Sequence, residues 1–193
     1  MPAPTTNDQF ALQASGSKGK ALPQNIEAEK TVLSACLLST GVFEEVSLKL
    51  RPEDFYRPAH RIIFEAIISL TNRHIPVDPI ALADTLKSTG QLEAVGGRAY
   101  LAELADNTFS LTSWERHVDI VKRQSILREL VFAATQINAL AYDAPDDLDQ
   151  VVEEAEKTLF NVTEKRVSSS FRKMDELVSD AYEEISRLAN QKD

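Results

Sequence analysis

Cysteine is almost absent from this sequence, and its scarcity excludes several classes of protein. A single cysteine, Cys36, cannot form an intramolecular disulfide or a thiolate metal cage, which disfavours small secreted scaffolds and zinc modules. Six glycines and eight prolines among 193 residues are too few turn residues for a protein of many short strands. We therefore expect an all-α protein located in the cytoplasm.

Long apolar runs and an excess of basic residues are missing as well. No run approaches the roughly 20 apolar residues that a membrane-spanning helix requires, and residues 1–20 lack the apolar core of a signal peptide. The chain has 21 Lys and Arg against 30 Asp and Glu, a formal net charge of −9. Proteins that bind DNA alone are usually basic, because neutralising phosphates supplies much of their affinity. The sequence predicts neither membrane insertion nor unaided DNA binding.

The chain divides first into a tail and a head. Residues 1–22 are rich in small and polar side chains with almost no apolar periodicity, so we expect a disordered tail. After Pro23, apolar residues recur at helical spacing in several short segments. Asp78 before Pro79 marks the start of one of them, because an acidic N-cap accepts backbone N–H groups and proline tolerates the first helical position. Residues 23–112 are predicted to form a compact, multi-helix globular head.

A long helix is predicted over residues 114–142, where nothing interrupts the helical pattern. Ile120, Leu127, Ala134 and Ala141 recur at heptad spacing, which predicts a seam for a partner helix. Three further apolar residues of this helix lie off the seam, namely Ile126, Val131 and Phe132. One partner helix cannot cover both the seam and these residues. A second copy of the chain could cover these three residues, so they are the candidates for self-association.

A second long helix follows a break at Ala144 and Pro145. Its apolar residues supply a matching stripe: Leu148, Val151, Val152, Ala155, Leu159 and Val162. A short connection between two long helices makes them antiparallel neighbours, so residues 113–166 are predicted to form a helical hairpin.

The end of the sequence is predicted to be a linker, residues 167–173, followed by an amphipathic linker helix, residues 174–193. The apolar side of this helix has no obvious partner within the chain, and such helices usually dock on another surface. The candidate docking residues are Leu177, Ala181, Tyr182, Ile185 and Leu188. Their partner would be missing sequence or another subunit.

No catalytic centre is visible. The three histidines form no metal-ligand spacing, and Cys36 lies in an apolar stretch without a nearby histidine to activate it. The stretch of residues 16–21 fails as a phosphate-binding loop, because Ala14 replaces the first required glycine and Ala21 the required Ser or Thr. We therefore expect no catalytic residue, no cofactor and no metal in these 193 residues.

Four stretches together resemble the N-terminal region of the DnaB-type replicative DNA helicases of bacteria. They are residues 23–29 (PQNIEAE), 54–60 (DFYRPAH), 96–101 (GGRAYL) and 127–130 (LREL). Their order and spacing agree with the family from about Pro23 to the end of the chain. Each stretch alone is a weak signal, whereas the four in combination are specific.

The resemblance implies a helical head and hairpin that associate in pairs and build a trimer-of-dimers collar on a hexameric ring. It also implies a surface for the C-terminal helical domain of primase, with a helicase loader as a further candidate partner. The terminal helix would dock on the motor domain of an adjacent subunit. Such a domain meets DNA only as part of the complete ring.

The sequence restricts the candidates for primase contact to Glu27, Tyr100 and Val131. Glu27 falls in the first turn of the first helix and is expected to be solvated. Tyr100 follows a Gly-Gly turn on a helix whose leucines serve the core, so its ring and hydroxyl are expected to face outward. Val131 lies off the predicted seam. The alternative is that Tyr100 and Val131 are simply buried.

The family's ATPase domain is absent from these 193 residues. The resemblance thus implies that the chain is a fragment ending just before the motor, and that ATP, magnesium and unwinding belong to the parent protein. The alternative is a free-standing helical adaptor without a motor. A reading frame that continues past Asp193 into a glycine-rich phosphate loop would distinguish the two.

Overall fold

The computed structural model describes residues 21–106, 113–143 and 147–168. Within these ranges the chain forms seven α-helices and two single-turn 3₁₀ helices, without a strand, which confirms the all-α prediction. The α-helices are α1 (Ile26–Leu38), α2 (Thr40–Lys49), α3 (Pro58–Asn72), α4 (Pro79–Ser88), α5 (Gly97–Ala105), α6 (Trp114–Asp143) and α7 (Leu148–Ser168). The 3₁₀ helices are Pro52–Asp54 and Glu93–Val95.

Two predicted segments fall on residues that lie outside the described part of the chain. They are the tail, apart from its last two residues, and the linker with its amphipathic helix, apart from Val167 and Ser168, which belong to α7. The docking candidates Leu177, Ala181, Tyr182, Ile185 and Leu188 belong to the second segment and stay predictions.

The helices of the head start where the sequence supplies caps. The side chain of Asn25 accepts a hydrogen bond from the backbone N–H of Ala28 at 3.0 Å and starts α1. Asp78 accepts from the backbone N–H groups of Ile80 and Ala81 at 2.8 and 2.9 Å and starts α4, as predicted. Each cap satisfies donors that the first turn of a helix leaves unpaired.

Helix α1 lies at the centre of the head and packs against α2, α3, α5 and α6. Its residues Val32, Leu33 and Cys36 have no exposed surface. The ring of Phe64 on α3 lies 5.0 Å from the ring of Phe55, centroid to centroid, in the same core. Because four helices cover α1, any polar side chain on its inner face must find its partners inside the protein.

Helix α6 buries a different face from the one predicted. The buried residues of its first half are Trp114, Val118, Val121, Ser125 and Arg128. In the predicted seam, Ile120 is only half-buried, Leu127 is 38% exposed, and Ala134 and Ala141 are exposed. The heptad seam is therefore wrong for this helix. Apolar spacing alone defined the seam, whereas α6 packs on the head through a face that includes a serine and an arginine.

Helices α6 and α7 pack against each other, and only residues 144–147 separate them along the chain, so they run antiparallel as expected. The predicted break at Ala144 and Pro145 lies outside the described residues. Half of the stripe predicted for α7 is covered, namely Val151, Ala155 and Val162, and the other half is exposed, namely Leu148, Val152 and Leu159. Within the described ranges, no helix is both long and apolar enough to cross a membrane.

Cys36 is expected to react with thiol reagents only after unfolding. Burial raises the pKa of its thiol far above the usual range, and the thiolate is the reactive form. Ellman's reagent should modify almost no native protein and one thiol per chain in guanidinium chloride. Rapid, stoichiometric modification of the native protein would show instead that the α1 region opens readily.

Candidate protein-interaction site

A buried acid and a buried histidine meet in the middle of the head. Glu29 of α1 and His60 of α3 are 1% and 0% exposed, and Glu29 Oε2 lies 2.7 Å from His60 Nδ1. Because a carboxylate only accepts hydrogen bonds, Nδ1 of His60 carries a proton and donates a hydrogen bond to Glu29. The same carboxylate accepts from the backbone N–H groups of Tyr56 at 2.7 Å and Arg57 at 3.3 Å. Glu29 thereby fixes the turn that leads into α3.

The other nitrogen of His60 connects this pair to the surface. His60 Nε2 lies 2.7 Å from the hydroxyl oxygen of Tyr100 on α5. The guanidinium of Arg57 lies 5.2 Å from the centroid of the Tyr100 ring and donates to the Tyr100 hydroxyl oxygen at 3.4 Å. Burial raises the pKa of Tyr100, although Arg57 and Lys30 oppose the shift, so the phenol keeps its proton at neutral pH. Glu29, His60, Tyr100 and Arg57 thus form a continuous series of polar contacts from the core to the solvent, which we call the polar chain.

The close approach of Tyr100 depends on Gly96. Gly96 has φ +99°, a conformation that favours glycine, and a Cβ at this position would lie 3.0 Å from Cβ of Tyr100. A larger residue at position 96 would strain the backbone and displace the Tyr100 ring. The Gly-Gly turn recognised in the sequence therefore positions this tyrosine.

A second polar group joins α6 to the connection between α2 and α3. The buried Arg128 donates to the backbone oxygens of Asp54 and Pro23, the latter at 3.0 Å. Burial lowers the pKa of Arg128, and the carboxylate of Glu29 opposes the shift. Asp54 in turn accepts from Lys122 Nζ at 3.1 Å. These contacts hold the hairpin's first helix against the head.

The four stretches that resemble the helicase family meet in the folded protein, at the polar chain and at the contacts of Arg128. Glu29 belongs to the first stretch, Arg57 and His60 to the second, Tyr100 to the third and Arg128 to the fourth. Neither Glu29 nor His60 was singled out from the sequence as a site residue. The available signal was position, because Glu29 precedes Val32, Leu33 and Cys36 at helical spacing and so lies on the apolar face of α1.

Two of the three predicted primase-contact residues lie on one surface, formed by α1 and α5. The side chain of Glu27 is 84% exposed, as expected, and its Oε1 lies 3.7 Å from Lys30 Nζ. Lys30 also lies 3.5 Å from Glu103, one turn beyond Tyr100 on α5. Tyr100 itself is half-buried and its hydroxyl faces His60. The expectation of an outward hydroxyl is therefore wrong, because a buried imidazole binds it.

Val131 lies elsewhere, on α6 and one turn beyond Arg128, and it is half-buried. Ile126 and Phe132, the other self-association candidates, are half-buried too. Away from the end of the hairpin where α6 leads into α7, four large apolar side chains of the described residues are exposed. They are Leu127 and Leu130 on α6, with 38% and 39% exposed, and Leu159 and Phe160 on α7, with 48% and 62%. We call these four residues the hairpin surface.

The described residues include no group of three or more His, Cys, Asp or Glu side chains that could hold a metal ion. An open groove of about 670 Å³ lies between α2 and α3, and Glu44, Glu45, Leu48 and Ile68 are among its lining residues. None of the residues that line this groove belongs to the polar chain.

Comparison with known proteins gives a consistent result. Residues 21–123 match the family model of the DnaB-like helicase N-terminal domain. The chain is 36% identical to the replicative DNA helicase DnaC of Bacillus subtilis over 170 residues, which are 88% of this chain and 37% of that protein. It is 36% identical to the replicative DNA helicase DnaB of Geobacillus stearothermophilus over 168 residues, again 37% of that protein. The chain thus spans little more than a third of these relatives.

Solved structures show the same likeness. The crystal structure of the N-terminal domain of DnaB helicase from Mycobacterium tuberculosis superposes with a TM-score of 0.70 and 34% identity, covering 74% of this chain and 99% of that one. The structure of a DnaB-like replicative helicase, described with its interactions with primase, superposes with a TM-score of 0.60 and 26% identity. It covers 84% of this chain and 35% of that one.

Proposed function

We propose that this chain, which belongs to the family of DnaB-like helicase N-terminal domains, is the primase-docking and self-association module of a bacterial replicative helicase. In this proposal ATP and magnesium act in the helicase's motor domain, which unwinds duplex DNA in the cytoplasm. DNA is bound by the complete ring and not by this domain alone, in keeping with the net charge of −9.

The observation that carries the docking proposal is the surface of α1 and α5. Glu27 is exposed there, and the Tyr100 ring is held in one orientation by His60 and Gly96. A rigid aromatic side chain beside a charged one is typical of the residues that dominate protein interfaces. The likeness to a helicase described with its primase interactions supports primase as the partner.

Self-association is supported by the hairpin surface. Its four apolar side chains lie on two helices that pack against each other. Exposed apolar clusters of this kind usually mark an interface. We propose that two copies pair through the hairpins, and that pairs assemble into a trimer of dimers on the hexameric ring.

Docking is tested by calorimetric titration of the chain with the C-terminal helical domain of primase. Tyr100→Ala and Glu27→Ala should each weaken binding, the tyrosine variant by about tenfold or more, because buried aromatic anchors dominate interface energies. Tyr142→Ala and Glu44→Ala are matched controls, since both residues are exposed and lie on other helices, α6 and α2. They should bind like the wild type. Equal affinities for all four variants would refute docking at this surface.

A further inference from the structure

The most exposed member of the polar chain is the arginine at its outer end, Arg57. Arg57 is exposed, and among the described residues no carboxylate lies within ion-pair distance of its guanidinium. Lys30 is the one basic residue of α1 and Arg98 the one basic residue of α5, and both are already paired, with Glu103 at 3.5 Å and Asp84 at 3.1 Å. Among the described residues beside the α1 and α5 surface, Arg57 is thus the positive charge that remains for a partner.

We propose that Arg57 binds a carboxylate of the docked protein, and that the buried Glu29 and His60 hold it in place through Tyr100. This inference rests on the proposed function, because it names the group through which the α1 and α5 surface recognises its partner. Arg57 is the recognition residue, and His60 and Glu29 are positioning residues.

The guanidinium is held before a partner arrives. The backbone N–H of Arg57 donates to Glu29, and the guanidinium carbon lies over the Tyr100 ring, 5.2 Å from its centroid. His60 binds the hydroxyl of the same ring from the inside. A long side chain normally loses rotamer freedom on binding, and this loss weakens an interface. Here the two contacts with Tyr100 restrict the side chain before a partner binds.

Arg57 also keeps most of its hydrogen-bonding capacity. A guanidinium has five N–H donors, and the hydrogen bond to the Tyr100 hydroxyl uses one Nη1–H. The donor edge formed by Nε–H and Nη2–H is not used by this hydrogen bond. A free donor edge matches a carboxylate in a two-point contact.

The surrounding charges favour a protein carboxylate over a nucleic acid phosphate. Glu27 and Glu103 flank this surface with 84% and 63% of their side chains exposed, and the whole chain has a net charge of −9. A polyanion would be repelled by these groups. A folded partner can instead present one carboxylate to Arg57 and a basic side chain to Glu27.

The test compares two arginine variants of the full chain in titrations with the C-terminal helical domain of primase. Arg57→Gln should weaken binding by about tenfold at about 0.1 M NaCl and reduce the salt dependence of the affinity. Arg98→Gln is the matched control, because it also removes one positive charge close to Tyr100. Arg98 is already paired with Asp84, so its charge is not available to a partner. This control should bind within about twofold of the wild type, and both variants should melt at nearly the wild-type temperature.

Tyr100→Phe tests the positioning role, since it keeps the ring and removes the hydroxyl that His60 and Arg57 bind. It should weaken binding severalfold, and Arg57→Gln should cost less in the phenylalanine background than in the wild type. Additive effects would show that Tyr100 does not position Arg57.

Three results would overturn the proposal. If the wild type binds primase and Arg57→Gln binds equally well, the inference is wrong while the proposed function stands. If the wild type does not bind primase, both fail. If Arg57→Gln abolishes binding of a single-stranded oligonucleotide instead, Arg57 recognises phosphate and not a carboxylate.

Discussion

Replacing Glu29 with alanine is expected to lower the free energy of unfolding by about 3–5 kcal/mol. The carboxylate accepts from His60 Nδ1 and from the backbone N–H groups of Tyr56 and Arg57. Alanine leaves these donors without their acceptor, and each buried donor without a partner costs about 1–3 kcal/mol. The loss is large because the residue lies on the inner face of α1, where other helices cover it.

The measurement is urea unfolding followed by the fluorescence of Trp114, the one tryptophan of the chain, which is 9% exposed. Glu27→Ala is the matched control, because Glu27 lies two residues earlier on α1 with an exposed side chain. It should change the free energy of unfolding by less than about 0.5 kcal/mol. Glu29→Gln should fall between the two, since the amide keeps one acceptor oxygen. A loss below about 1 kcal/mol for Glu29→Ala would mean that the pair is not an organising contact of the head.

The helical content was predictable because it depends on local signals. Asp78 before Pro79 starts α4 through contacts two and three residues away, and the uninterrupted pattern after Trp114 is one long helix. Such signals lie within a single turn of the chain. Local physics determines them, so they can be read without knowledge of the tertiary fold.

The polar chain was not predictable, because its members are far apart in sequence. Glu29 and His60 are 31 residues apart, and His60 and Tyr100 are 40 apart. The buried face of α6 was missed for the same reason, since Arg128 binds backbone oxygens 74 and 105 residues away. A pattern of apolar spacing treats charged residues as solvated. Only the fold shows which of them have buried partners.

The double substitution Leu130→Glu with Phe160→Glu is expected to weaken self-association by about 100-fold or more. The first residue lies on α6 and the second on α7, so the pair changes both helices of the hairpin surface. Side chains that anchor an interface each contribute about 2 kcal/mol or more, and burying a glutamate without a partner adds a further cost. Both residues are exposed in the single chain, and glutamate is a good helix former, so the monomer should remain folded.

Sedimentation equilibrium over a range of protein concentrations measures this effect directly. Leu48→Glu is the control, because Leu48 is 70% exposed but lies on α2, away from the hairpin. It should leave the association constant unchanged and show that added negative charge alone does not separate the copies. If the double variant associates as strongly as the wild type, the copies pair through another surface. Val131 and Phe132, half-buried on α6, would then be the next residues to replace, because they lie beside Leu130 on the same helix.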